Sequence, residues 1–305
     1  MTPGSLFTVH TPFLSGQRGY MPTEAARSPW SLELLHGGPV AGLLAHAAEQ
    51  LVDDDGLRLA RLSTDLFRPI PFAPLSLATT LVRDGGRLKM VSLSLTARRP
   101  RGDDATPSPP GDQTATPSPL GDQTIEVCRA QALFLRSSDV DASAGDTLAP
   151  PLPFIEKDRP PRLSGDTAYH NTVIFRHVNE WGSGEPAATW VRVPVPLLPS
   201  TELSPAALAC AVSDFVSPMA NSHSPPTQNQ TAITFINADI TTYLHRPPQG
   251  EWIGLTISDR GSDQGIAVGA GVLHDRRGPF GRAMAASIAQ NRQPLGGGNE
   301  PSRPK

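Results

Sequence analysis

The sequence predicts an α+β fold in which one unit, a helix followed by a run of antiparallel strands, occurs twice. Three observations carry this. The stretch Arg61-Leu-Ser-Thr-Asp-Leu-Phe-Arg-Pro69 returns as Asp239-Ile-Thr-Thr-Tyr-Leu-His-Arg-Pro247 at a constant offset of 178 residues, so that Thr64, Leu66, Arg68 and Pro69 reappear as Thr242, Leu244, Arg246 and Pro247. Val40, Leu43, Leu44, Ala47 and Leu51 recur at helical spacing and give one apolar face. Around that helix the chain reads as short alternating segments, the period of half-buried strands.

Taken in order, Leu6–Val9 reads as a first strand and 14–29 as a loop of glycine, proline and mixed charge. Trp30–Leu35 alternates and runs into His36-Gly37-Gly38-Pro39, where Pro39 suits the first turn of a helix because its missing N–H costs nothing there. Asp53–Gly56 ends that helix. Strands are expected at 59–68, 75–82 and 88–97, with Asp84-Gly85-Gly86 as a hairpin turn. Ala105–Thr114 is then repeated almost letter for letter as Ala115–Thr124, a low-complexity loop with nothing to build a core. A strand follows at 125–135.

The second unit brings strands at 172–178 and 189–195. A helix then opens at Ser204-Pro205, with Leu208, Ala211, Val212 and Phe215 on one face. After a polar loop at 217–230 come one long strand from Thr231 to His245, strands at 252–258 and 266–274, and a short last strand at 283–288. The expected boundaries are a first domain at 1–137 containing the loop 100–124, a linker at 138–168, a second domain at 169–292 and a disordered tail at 293–305.

The 305 residues suffice for two domains of about 150 residues. A net charge of −3 without a long basic run argues against a nucleic-acid partner. Cys128 and Cys210 form neither a disulfide framework nor a metal spacing and read as buried thiols. No secretory pattern opens the chain, and no stretch approaches the roughly 18 apolar residues of a membrane span, so a soluble cytoplasmic protein without a membrane partner is expected. No pair of histidines stands at i, i+4 on a helix and no phosphate-cradling glycine loop is present, so no metal or cofactor is expected.

The motifs are a His-Gly-Gly segment opening the first helix, Ala211-Val-Ser-Asp-Phe215 on the second, Asp239 six residues before His245-Arg246-Pro247, and Glu251-Trp252. Together they resemble the double hotdog fold and, within it, the acyl-CoA thioesterases of type II. The resemblance covers most of the chain. It implies a tandem hotdog, each half an antiparallel sheet around one long helix, and hydrolysis of acyl-CoA by a water that a strand Asp, a hydroxyl residue and a Gln hold and polarise. Asp239 stands at the position of that Asp. Ser258 and Ser262 are the hydroxyls near the expected place after Glu251-Trp252. The Gln position falls in Met284-Ala285-Ala286-Ser287, which contains no glutamine. Further pairing into homo-oligomers is common in such families.

The residues themselves leave several roles open. Gly37 and Gly38 either admit a substrate carbonyl to the N–H groups at the helix start or only permit the turn. His36 is a turn residue or a substrate contact. Asp214 caps the second helix or lines the site. Asp239, at the place where the first copy has Arg61, is a general base toward water or a structural carboxylate. His46 and Glu49, three apart on the first helix, are a further pair with either a functional or a structural reading, and His245 and Arg246 read as structural. Besides acyl-thioester hydrolysis, two readings keep the fold. One is an enzyme of another class, a dehydratase, cyclase or isomerase acting on an acyl or polyketide-like substrate. The other is a non-catalytic module that binds an acyl ligand.

Overall fold

The computed structural model describes residues 4–29, 31–98, 124–138, 149–158, 168–179, 181–222 and 233–291. The duplicated loop at 105–124 apart from Thr124, the tail at 293–305 and most of the linker lie outside them. The first half runs β1 (Phe7–His10), β2 (Arg18–Pro22), α1 (Gly37–Val52), β3 (Leu57–Leu66), β4 (Leu75–Asp84), β5 (Leu88–Arg98) and β6 (Thr124–Arg136). The second runs α2 (Tyr169–Thr172), β7 (Ile174–Asn179), β8 (Ala188–Arg192), α3 (Pro205–Ser213), α4 (Val216–Asn221), β9 (Ile233–Asn237), β10 (Asp239–Leu244), β11 (Ile253–Asp263), β12 (Ile266–Asp275) and β13 (Gly278–Asn291).

All strand pairs are antiparallel and form one sheet in the order β1-β2-β4-β5-β6-β3-β10-β13-β12-β11-β8-β7, with β9 on β13. Outward from the β3–β10 seam, each side reads the same way by rank: β3, β6, β5, β4, β2, β1 against β10, β13, β12, β11, β8, β7. The seam follows the sequence repeat. Ser63 and Thr241, which the 178-residue offset equates, face each other in register, and their hydroxyls lie 2.7 Å apart.

The helices lie between the halves. α1 packs on β3, β4, β5 and β6, α3 packs on β10 and β11, and α1 and α3 pack on each other. Burial therefore extends almost all round α1, well past the expected apolar face. Val40, Leu43 and Leu44 are fully buried, each contributing about 1.5–3 kcal/mol relative to exposure. On the paired strands Leu62, Thr64, Ile240, Thr242 and Leu244 are buried, the alternation that the repeat predicts.

Four expectations are corrected. The 14–29 segment contains β2: Gly19 is a strand glycine because a Cβ there would stand 2.3 Å from the His10 carbonyl oxygen and 2.5 Å from the Pro12 nitrogen. The long strand at 231–245 breaks at Ala238, which donates to the Ala286 carbonyl and accepts from the Leu66 N–H, as the chain shifts from pairing with β13 alone to bridging β13 and β3. The last strand is 14 residues long, because β13 has partners in β12, β10 and β9. The second helix bends at Asp214-Phe215 into α3 and α4.

Part of the expected linker is docked. Trp190 Nε1 donates to the Pro153 carbonyl at 2.8 Å, and the Phe154 ring lies 5.1 Å from Trp190 and under the Arg276 guanidinium at 3.9 Å. Cys128 and Cys210 are buried and free, and burial pushes the Cys128 thiol up to about 12. Among the described residues, no helix is long and apolar enough to cross a membrane.

Candidate active site

α1 and α3 run antiparallel, so the start of one meets the end of the other. Close approach requires small residues there. A Cβ on Gly38 would stand 2.7 Å from the Ala211 carbonyl oxygen and 2.9 Å from the Tyr169 ring, and a Cβ on Gly37 would stand 2.6 Å from Asp214 Oδ1. The two glycines thus let the helix start reach the Asp214 carboxylate. Gly38→Ala pushes a methyl group into a backbone oxygen that cannot swing away. The expected loss is about 1–3 kcal/mol in a denaturant titration; an unchanged midpoint would show that the helices are free to separate here.

His36 is the N-cap of α1 and Asp214 the C-cap of α3. Both are buried, at 7% and 5% exposure. His36 Nδ1 lies 2.7 Å from Asp214 Oδ2, and Asn237 Nδ2 donates to Asp214 Oδ1 at 2.7 Å. The Gly38 N–H lies 3.1 Å from His36 Nδ1 and also acts on the Asp214 carboxylate. Two demands meet on Nδ1: the Gly38 N–H donates to it, whereas the carboxylate oxygen at 2.7 Å favours a proton there, and the shorter, charged contact favours the tautomer protonated on Nδ1. Burial pushes Asp214 upward. His36, the Asn237 amide and the Gly38 N–H outweigh it and hold the carboxyl below its usual range.

Aromatic rings surround the pair. The His36 ring centroid lies 4.8 Å from Tyr169, 4.7 Å from His170 and 5.4 Å from Phe215. Burial, with the nearby His36, lowers His170 to about 3 against the pull of Asp214, so a neutral imidazole packs beside His36. The Tyr169 hydroxyl is buried and has no hydrogen-bond partner among the described residues, and burial raises its pKa.

Four of the residues singled out in the sequence, His36, Gly37, Gly38 and Asp214, thus meet at one point. The other three make no hydrogen bond or ion pair with His36 or Asp214 among the described residues. Asp239 is on β10 in register with Asp65, and its Oδ1 accepts from the Ala286 N–H at 2.7 Å. Burial raises its pKa, the Ala286 N–H lowers it and the Asp65 charge adds to the rise. Ser258 and Ser262 are exposed on β11, and β13 and β12 lie between that strand and β10. Three strand spacings are roughly 14 Å, too far for these hydroxyls to share one water with Asp239. Sequence reasoning missed Asn237, Tyr169 and His170. Asn237 left one trace, a polar residue closing the apolar run Ile233-Thr-Phe-Ile236 two positions before Asp239.

Residues 26–135 match the family model of the acyl-CoA thioesterase N-terminal domain, and residues 147–285 match that of the acyl-CoA thioesterase C-terminal domain. The chain belongs to the double hotdog acyl-CoA thioesterase family. No curated protein sequence matches it. Among solved structures it is similar to a tesB protein of Mycobacterium avium subsp. paratuberculosis, at 13% identity and TM-score 0.60 over 92% of this chain and 96% of that one. An acyl-CoA thioesterase II of Mycobacterium marinum aligns at 14% identity and TM-score 0.60, over 95% and 98% of the two chains. A hot dog fold protein of unknown function from Alicyclobacillus acidocaldarius aligns at 14% identity and TM-score 0.66, over 94% and 97%. These likenesses show the hotdog fold of this member of the acyl-CoA thioesterase family.

Proposed function

We propose that the chain hydrolyses acyl-CoA or a closely related acyl thioester at the His36–Asp214 pair, within a tandem of hotdog units at 1–137 and 169–292 joined by 138–168. The observation that carries this is a buried, charge-assisted His–Asp pair at a helix start in a chain of this family. In this reading Asp214 fixes the proton on His36 Nδ1 and stabilises the imidazolium that forms. His36 Nε2 takes a proton from water, and the water oxygen bonds to the thioester carbonyl carbon. The dipole at the start of α1 favours the negative charge that builds on that oxygen. The C–S bond then breaks, the sulfur takes the proton from Nε2, and a free thiol and a carboxylic acid leave, the acid giving its proton to solvent. Asp239, tied to the Ala286 N–H and opposite Asp65, serves the seam in this account.

The test is thiol release over a panel of acyl-CoA chain lengths. Saturable release with a chain-length optimum is expected; binding without release across the panel contradicts the hydrolytic reading. A second reading has one observation in its favour: no serine or threonine hydroxyl hydrogen-bonds to His36 or Asp214 among the described residues. The same base could then move a proton at carbon next to the thioester, as in dehydration or isomerisation. Mass analysis of the acyl product separates the two, since only hydrolysis adds a water and releases the thiol.

A further inference from the structure

The two ends of the α1–α3 pair are built alike. At one end the N-cap His36 meets Asp214, ten positions after the N-cap of the other helix, Ser204. At the other end the residue ten positions after His36 is His46, and Ser204 donates to Glu49, one turn further along α1, at 2.6 Å. The flanking chain repeats as well. The Tyr169 backbone N–H donates to the Arg27 carbonyl beside the first end, and the Phe7 backbone N–H donates to the Leu197 carbonyl beside the second, both at 2.9 Å.

At this second end a cleft of about 300 Å³ opens against β1 and β2, lined by His46, Arg18, Tyr20, Val9, Pro12 and Leu198 among others. Val9, Pro12 and Leu198 make its walls apolar. Arg18 is exposed, forms no ion pair with a carboxylate among the described residues, hydrogen-bonds to Tyr20 and lies close enough to His46 for its charge to act there. Burial and then the Arg18 charge both lower the His46 pKa, and its imidazole stands in the cleft as a hydrogen-bonding group. The cleft therefore offers the Arg18 charge, the His46 and His10 imidazoles and the Gln17 amide beside an apolar wall. That balances one negative charge with a short apolar tail, whereas a phosphate would bring about −1.5 to −2.

We propose that this cleft is a binding site for a small aliphatic monocarboxylate, with Arg18 pairing with the carboxylate, His46 donating to it, and the tail lying along Val9, Pro12 and Leu198. The proposal stands on the cleft and its place in the helix pair, and it does not require that the chain hydrolyse thioesters. Hexanoate, hexanamide and inorganic phosphate are titrated into the full chain by calorimetry, with the His46 ring proton followed by NMR. Hexanoate is expected to bind at one site at the cleft and to shift the His46 signal, and hexanamide is expected not to. Arg18→Gln should weaken hexanoate about tenfold to a hundredfold, and Leu198→Trp, which fills the cleft, should abolish the His46 shift. Arg18 is exposed, so a retained melting temperature confirms that its variant is folded. Undiminished hexanoate affinity in Arg18→Gln, equal binding of hexanamide, or tighter binding of phosphate than of hexanoate each overturns the proposal. Because binding is read at His46, loss of turnover in the chain would leave this result untouched.

Discussion

Arg246→Met is expected to destabilise the chain by about 3 kcal/mol, the lower end of the ~3–5 kcal/mol for breaking a buried ion pair. Arg246 forks onto Asp275, with Nη1 to Oδ2 at 2.5 Å and Nη2 to Oδ1 at 2.8 Å, and Nη2 also donates to the Gly278 and Pro279 carbonyls. The Asp275 side chain is 0% exposed, so losing the guanidinium strands a charge away from water. Two donors remain, the N–H groups of Gln249 and Arg277 at 2.9 and 2.8 Å, and they keep the loss from being larger. The same site is sensitive to acid. Burial raises Asp275, but Arg246 and the two N–H groups outweigh it, so its folded pKa lies below the unfolded value of about 4. A depressed carboxyl contributes stability that is present above the unfolded pKa and is lost as pH falls through the folded one. Urea titrations from pH 7 downward should therefore show a steeper acid loss in the parent than in Arg246→Met. Some acid loss persists in the variant, because Asp214 is depressed too. Equal stability of parent and variant at pH 7 would mean that the fork contributes nothing net.

Asp214→Asn is expected to lower kcat/KM for thioester hydrolysis by about 10²–10⁴, the range of a positioned general base. The amide has the shape of the carboxylate, so the packing around Gly37 and Asn237 is kept. It lacks the charge that holds a proton on His36 Nδ1 and that stabilises the imidazolium. Asp239→Asn is the matched control. It removes a carboxylate from the same half of the chain, at the position that the charge contrast with Arg61 made the first candidate, and turnover should be unchanged. Loss of turnover in Asp239→Asn together with retention in Asp214→Asn would return the base to β10.

Much of the fold was legible because local rules and tertiary packing agree there. Pro39 and the spacing of Val40, Leu43 and Leu44 mark α1, and the 178-residue repeat locates the seam through Ser63 and Thr241. The elements that were missed are those decided by a partner distant in sequence. Gly19 reads as a loop glycine until the His10 carbonyl is known to pass against it. Ala238 reads as mid-strand until β3 is known to take over the pairing. The site divides in the same way. His36, Gly37, Gly38 and Asp214 each stood out singly, but their meeting depends on antiparallel packing of two helices from opposite halves. The contrast between Asp239 and Arg61 was real. Its register partner is Asp65, however, and the strand order sets Ser258 and Ser262 apart from it.

The central claim, that His36 and Asp214 work as one base, is tested most directly by a double-mutant cycle in kcat/KM with His36→Ala, Asp214→Asn and the pair combined. Residues that act as a unit are strongly non-additive, so the account predicts that the double variant loses no more than the worse single one. Losses that multiply, with the double variant falling by the product of the two single effects, would contradict it.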